Sequence, residues 1–191
     1  MHNEKSDLRT RLLTRRRALS AEQRATAGLA LAGHAGELAG RGATVAAYVS
    51  VGAEPGTGPL LDALLARGVR VLLPVLLADN DLDWAEYAGP QALAPAGRGL
   101  LEPVGPRLGP EAVTEASVVL LPGLAVDGTG LRLGRGGGSY DRVLDRLGRA
   151  DVRPVLAVLL YEHEVLERVP AEPHDRPVDL AVTPSGVRRL G

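Results

Sequence analysis

Leu131-Arg132-Leu133-Gly134-Arg135-Gly136-Gly137-Gly138-Ser139-Tyr140-Asp141 lies between an apolar run, Ser117 to Leu121, and an amphipathic run, Tyr140 to Leu147. Strand, glycine-rich loop and helix in that order are the building unit of α/β proteins. Glycines let backbone N–H groups converge on an anion and tolerate positive φ. A helix N-terminus just beyond them adds positive potential. Arg132 and Arg135 supply fixed charge and forked donors suited to phosphate. Asp141 can hold a metal ion against the same phosphate. The stretch does not end in the Gly-Lys-Ser/Thr of a Walker loop, and it lacks the G-x-G-x-x-G spacing of a dinucleotide fingerprint. It reads as a nucleotide phosphate site of another kind.

Outward from this stretch, Val69 to Leu73, Val118 to Leu121 and Val155 to Leu160 are nearly continuous apolar runs separated by helical segments. That pattern predicts parallel strands buried on both faces. Thr44 to Ser50 is a further β-rich run, Leu82 to Tyr87 reads as a shorter and more exposed strand, and Leu180 to Thr183 as a late one. Ser6 is placed to cap a first helix reaching about Leu19. Ser20-Ala21-Glu22-Gln23 has the capping-box spacing and opens a second helix, predicted to run to about Leu38. Pro59 starts a third, with Leu60, Leu61, Leu64 and Leu65 as its apolar face and Gly68 as its stop. Pro90 to Pro110 reads as a long connection. The prediction is an α/β fold, a three-layer sandwich with a mainly parallel central sheet, in one domain spanning residues 1–191.

The chain has no cysteine, which excludes disulfides, thiol catalysis and thiolate metal sites and suits a reducing cytoplasm. A net charge of −1 and only 3% aromatic residues argue against a nucleic-acid partner. No apolar run approaches the ~20 residues of a membrane span. The charged N-terminal stretch is unlike a secretory signal. Arg15-Arg16-Arg17 reads as a solvated helix face and Trp84 as a packing anchor.

Leu121-Pro122-Gly123-Leu124-Ala125-Val126-Asp127, then Gly130, then Arg132 through Arg142 resembles the signature of the 5-formyltetrahydrofolate cyclo-ligases, also called methenyltetrahydrofolate synthetases. Other segments agree with that resemblance: Lys5, Leu8 and Arg9; Tyr48-Val49-Ser50 with Glu54 and Thr57; Glu102-Pro103; and Pro170-Ala171-Glu172-Pro173-His174-Asp175 with Val178-Asp179. The resemblance implies a fold like that of sugar-phosphate isomerases and CoA-transferases. It implies ATP-dependent cyclisation of 5-formyltetrahydrofolate, in some cells polyglutamylated, to 5,10-methenyltetrahydrofolate, by a monomer that needs Mg²⁺.

By the same resemblance, Lys5, Arg9, Arg132 and Arg135 serve ATP and the transferring phosphoryl group, with Lys5 and Arg135 as the catalytic cations. Gly134, Gly136, Gly137, Gly138, Ser139 and Tyr140 form the cradle. Asp141 and Asp175 position Mg²⁺, and Val49, Glu54 and Tyr140 contact folate. Two departures stand out: Ser139 replaces the family's usual tyrosine, and Glu164 falls near where many members carry glutamine. Read without the family, Lys5 and Arg9 also fit solvated helix charges, Asp141 a helix cap, Asp175 a turn acid, Glu54 a surface acid, and Glu102 a brace for the long connection. A non-catalytic folate- or nucleotide-binding relative is the alternative function.

Overall fold

The computed structural model describes residues 2–191. The chain begins with helix α1 (His2–Ala18), followed by α2 (Ala21–Ala32) and the single turn α3 (Ala35–Leu38). Ser6 therefore lies inside α1 rather than capping it, and its carbonyl accepts the Thr10 hydroxyl at 3.1 Å. The capping box at α2 forms: Ser20 Oγ accepts the Gln23 N–H at 3.1 Å, and Gln23 Oε1 accepts the Ser20 N–H at 2.8 Å. The predicted continuation to Leu38 breaks at Gly33 and His34. Glycine weakens the helix there, and the His34 ring reaches the Pro184 carbonyl at 3.3 Å. The turn redirects Ala35 and Leu38 onto the sheet.

The remaining elements are β1 (Thr44–Ala46), α4 (Gly58–Ala66), β2 (Arg70–Leu76), β3 (Leu82–Glu86), β4 (Leu93–Pro95), β5 (Leu101–Pro103), β6 (Val118–Pro122), β7 (Ala125–Asp127), β8 (Arg132–Leu133), α5 (Ser139–Arg149), β9 (Val155–Leu159), β10 (Val165–Leu166), β11 (Leu180–Thr183) and β12 (Gly186–Arg189). Seven strands form the main sheet in the order β12-β11-β9-β6-β1-β2-β3. The five inner strands are parallel, and β12 and β3 close the two edges antiparallel.

Successive residues on a strand point to opposite faces, so each inner strand feeds two cores. Val45, Leu73, Leu120 and Leu159 pack with Leu31, Leu60 and Leu64 from α2 and α4. Ala46, Leu72, Leu121 and Val158 pack with Val143, Leu144 and Leu147 from α5. This is the predicted three-layer α/β sandwich. Leu8 and Leu12 of α1 cover a separate small sheet, β10-β7-β8, through Leu124, Ala125 and Leu133.

The expectation of an exposed third strand fails. β3 is an edge strand, yet Leu82, Trp84 and Ala85 are buried. The 3₁₀ segment Pro110–Glu115 folds over it, placing Ala112 and Val113 in the same core as Trp84. Trp84 is thus a packing anchor, and its indole N–H finds no hydrogen-bond partner among the described residues. The long connection contains the β4–β5 hairpin, tied to the end of β2 where Glu102 Oε1 accepts the Leu76 N–H at 3.2 Å. No helix among the described residues is long and apolar enough to cross a membrane.

Arg146 of α5 clamps the turn before β3. Its Nη1 and Nη2 meet the two Asp81 oxygens at 3.0 and 2.7 Å, and its Nε meets Glu111 at 2.7 Å. The Arg146 guanidinium holds the Asp81 carboxyl below its ordinary value of 3.8. A depressed carboxylate contributes stability above its unfolded pKa and loses it as pH falls through its folded one. Asp81→Asn should lower the free energy of unfolding at neutral pH by about 1–2 kcal/mol in urea melts. The difference from wild type should shrink as pH falls below about 4, where Asp81 of the unfolded chain takes up a proton, and vanish at still lower pH, where folded Asp81 does so.

Candidate active site

The sheet changes direction of winding between β1 and β6. The chain steps from β1 to β2 on one side and from β6 to β9 to β11 on the other. Connections leaving the carboxyl ends of such strands diverge, and a crevice opens between them. A cavity of about 570 Å³ lies here, lined by Tyr48 and Val49 just past β1, Leu76 at the end of β2 and Pro122 at the end of β6. Its size suits a small-molecule ligand.

One wall is the glycine loop, and its entry is locked by Asp127. Asp127 Oδ1 accepts the Thr129 N–H at 3.0 Å, the Thr129 hydroxyl at 2.6 Å and the Leu131 N–H at 3.2 Å; Oδ2 accepts the Val169 N–H at 2.9 Å. Burial pushes this carboxyl up, and the four donors outweigh it and hold it below its usual range. The turn so fixed delivers Arg132 and the loop that follows. Gly136 and Gly138 take φ of 91° and 81°, a region that costs a side chain about 1–2 kcal/mol. Gly138 stands at the N-cap of α5 without a side-chain cap. The first N–H groups of α5 are left as donors at the cavity wall, the arrangement that binds anions. Ser139 and Tyr140 open α5 and line the cavity.

The predicted cations converge on this wall. Arg9 Nε donates to the Gly134 carbonyl at 2.9 Å, bracing the loop from α1. Arg132 Nη1 donates to the Pro122 carbonyl at 2.7 Å. Burial works against the charge of Arg132, and the Asp141 and Asp175 carboxylates support it. The Arg135 side chain is half exposed, with Nη1 3.4 Å from Glu54 Oε1. Lys5 is only 6% exposed. Its Nζ lies 2.8 Å from Asp175 Oδ2 and 3.0 Å from Glu172 Oε2. Burial opposes the ammonium charge, and the two carboxylates outweigh it and raise the Lys5 pKa. Reciprocally, burial pushes Asp175 up while Lys5 and the Glu172 N–H bring it below its usual range.

Glu172, His174 and Asp175 offer donor atoms that all lie within 4.8 Å of one another. Carboxylate oxygens at that spacing fit a hard divalent ion such as Mg²⁺. Asp141 sits on the first turn of α5, exposed at the same cavity, outside that trio. It makes no side-chain hydrogen bond among the described residues, so it is not a helix cap. His174 is largely exposed at the rim.

The rest of the lining is apolar and aromatic, with Tyr48, Val49, Val51 and Tyr140 beside the Glu54 carboxylate. Glu54 Oε2 accepts the Val51 N–H at 2.7 Å, a bond within its own loop. Burial pushes the Tyr48 and Tyr140 phenols up, so both stay neutral.

Sequence reasoning passed over Glu172, although it sits three residues before Asp175; the Glu172 N–H donates back to Asp175 Oδ2 at 2.7 Å. It also misread Arg16. The run Arg15-Arg16-Arg17 is not a uniformly solvated face, because Arg16 is buried against Glu164 at 2.6 Å. A repeat of three identical charges carries no sign that the middle one faces inward. The sequence clue is Glu164 itself, which the family resemblance marks as a departure but which lies 148 residues from Arg16.

The 5-formyltetrahydrofolate cyclo-ligase family profile matches residues 1–184. A 5-formyltetrahydrofolate cyclo-ligase from Mycolicibacterium smegmatis is 46% identical over 187 residues, covering 94% of this chain and 93% of its own. One from Escherichia coli is 33% identical over 146 residues, covering 75% of this chain and 79% of its own. Among solved structures, the 5,10-methenyltetrahydrofolate synthetase of Aquifex aeolicus superposes with a TM-score of 0.76 at 32% identity, covering 97% of this chain and 92% of that one. With a cleft at the winding reversal, a glycine loop flanked by arginines and a profile match over nearly its whole length, the chain belongs to the 5-formyltetrahydrofolate cyclo-ligase family.

Proposed function

We propose that the protein converts 5-formyltetrahydrofolate and ATP to 5,10-methenyltetrahydrofolate, ADP and phosphate. The observation that carries this reading is a single cavity with two chemically different parts. The glycine loop, Arg9, Arg132, Arg135 and Lys5 line one part; Glu54, Tyr48, Val49 and Tyr140 line the other, and the two parts meet where Arg135 Nη1 lies 3.4 Å from Glu54 Oε1. A triphosphate suits the first and a pterin the second.

The formamide oxygen is a poor leaving group. In the proposed reaction it attacks the γ-phosphorus, forming an O–P bond as the bond to ADP breaks. N10 of the folate then attacks the activated formyl carbon. The C–O bond breaks, phosphate leaves, N10 loses its proton and the ring closes. Both nucleophiles come from the substrates, so the protein supplies alignment and charge, as in other phosphoryl transfers. Arg135 and Lys5 neutralise the transferring group. Arg132 and Arg9 hold the phosphates against the loop amides, with Gly134 to Tyr140 as the cradle. Glu54 accepts the pterin N–H groups, while Tyr140 and Val49 form the walls of its pocket.

Asp141 and Asp175, joined by Glu172, would hold Mg²⁺. When bound, the ion offsets the negative charge that builds up between the phosphates. Lys5, now shared between Asp175 and Glu172, would then be released toward phosphate. A non-catalytic relative is disfavoured because Lys5, Arg135 and Asp141 are all retained at the cavity.

Absorbance of the methenyl chromophore tests the reading. Wild type with Mg²⁺ should produce it from 5-formyltetrahydrofolate only when ATP is added; no turnover would overturn the assignment. Glu54→Gln should raise KM for the folate about tenfold and change KM for ATP much less, since its contact with the phosphate side is the long one to half-exposed Arg135. Arg135→Ala should lower kcat on the order of 10²-fold, as expected for the loss of a donor to charge developing in the transition state.

A further inference from the structure

Arg16 and Glu164 are the most deeply buried opposite charges in the described residues, with side chains 2% and 0% exposed. Neither lines the cavity. Arg16 grips the carboxylate with two bonds, Nε to Oε1 at 2.6 Å and Nη2 to Oε2 at 2.9 Å, and Nη2 also donates to the Gly123 carbonyl at 2.6 Å. Burying such a pair gains little net stability, because desolvating both charges offsets their attraction. What a forked, fully bonded pair contributes is a fixed geometry.

That geometry leads to the cleft. Glu164 Oε2 also accepts the Tyr161 N–H at 3.0 Å, fixing the chain just after β9. The Arg16 guanidinium lies 5.8 Å from the centre of the Tyr161 ring, and the His163 ring stacks parallel to it at 5.9 Å. The ring so held donates its hydroxyl to the Ala53 carbonyl at 3.0 Å. Ala53 immediately precedes Glu54. The loop carrying Glu54 is therefore tied within itself, through Val51 and between Ser50 and Thr57, and across the molecule through Tyr161 at 3.0 Å and the longer Arg135 contact at 3.4 Å.

We propose that Arg16, Glu164 and Tyr161 form a relay of positioning residues that sets the Glu54 carboxylate for the folate substrate. The proposal rests on the reading of Glu54 as the pterin acceptor. It predicts selectivity: the relay ends at the folate side and meets the glycine loop through the long, half-exposed Arg135–Glu54 contact, so disturbing its last link should act mainly on the folate.

Tyr161→Phe removes the hydroxyl and keeps the ring between its neighbours. KM for 5-formyltetrahydrofolate should rise about fivefold, the effect of one lost hydrogen bond, with kcat, KM for ATP and the melting temperature close to wild type. Amide exchange should quicken at residues 51–54 and stay unchanged at 134–138. An unchanged folate KM and unchanged exchange at 51–54 would overturn the relay. If Glu54→Gln still raises the folate KM in that case, the reading of Glu54 survives and the relay alone fails. If Glu54→Gln also leaves it unchanged, both fail. Glu164→Gln is the second probe. An amide oxygen in the place of Oε2 can still accept Arg16 Nη2 and the Tyr161 N–H, but its NH2 then faces the Arg16 Nε–H, donor against donor, and the forked grip is lost. This variant should reproduce the folate-selective rise in KM, and an equal rise in KM for both substrates would count against the relay.

Discussion

A parallel sheet that reverses its winding must leave a crevice at the reversal, and the rest of this molecule is arranged around that constraint. The connections after β1 and β6 diverge, so the ends of those two strands share an open space while every other inner-strand face is packed. The chain fills that space with segments far apart in sequence: α1, the loop holding Glu54, the glycine loop and the Glu172–Asp175 turn. Hydrogen bonds and ion pairs hold the loops there, and α1 rests in addition on the apolar contacts of Leu8 and Leu12. The binding surface is thus an assembly of polar loops on a rigid apolar frame, the usual division of labour in α/β proteins.

Helix α1 illustrates how one element serves several purposes. Leu8 and Leu12 anchor it on the small sheet through apolar contact. Its remaining inward positions carry charge: Lys5 to Asp175 and Glu172, Arg9 to the Gly134 carbonyl, Arg16 to Glu164. Helical geometry puts residues three or four apart on one side. Lys5, Leu8, Arg9, Leu12 and Arg16 follow that spacing, so a single stripe carries both the apolar anchors and the inward charges. Three of these five residues are cationic, which explains why hydrophobic periodicity alone describes α1 poorly.

Much of the frame was legible in advance. Val69 to Leu73, Val118 to Leu121 and Val155 to Leu160 become inner strands because only a strand packed on both faces accepts so continuous an apolar run. The Ser20 capping box was readable because its partners are three residues apart. The misreadings have a common cause. Ser6 was taken for a cap because its side chain could serve as one, yet the helix continues before it. The break at Gly33 depends partly on a contact with Pro184, 150 residues away. β3 reads as exposed from sequence because its cover, the segment Pro110–Glu115, follows the long connection and carries no pattern that marks it as an element.

The site divides in the same way. Glycine content, the flanking arginines and their spacing are local properties, so the sequence by itself determined the glycine loop of residues 132–141 and, by family resemblance, which ligands to expect. The tertiary structure decided the pairings: Lys5 with Asp175 and Glu172, Arg135 opposite Glu54, and Arg16 buried on Glu164. These charges are separated by between 81 and 170 residues. A local pattern can show that a residue is charged, but only the folded chain sets which opposite charge it meets and how much water remains between them, and those two quantities govern its energy and its role.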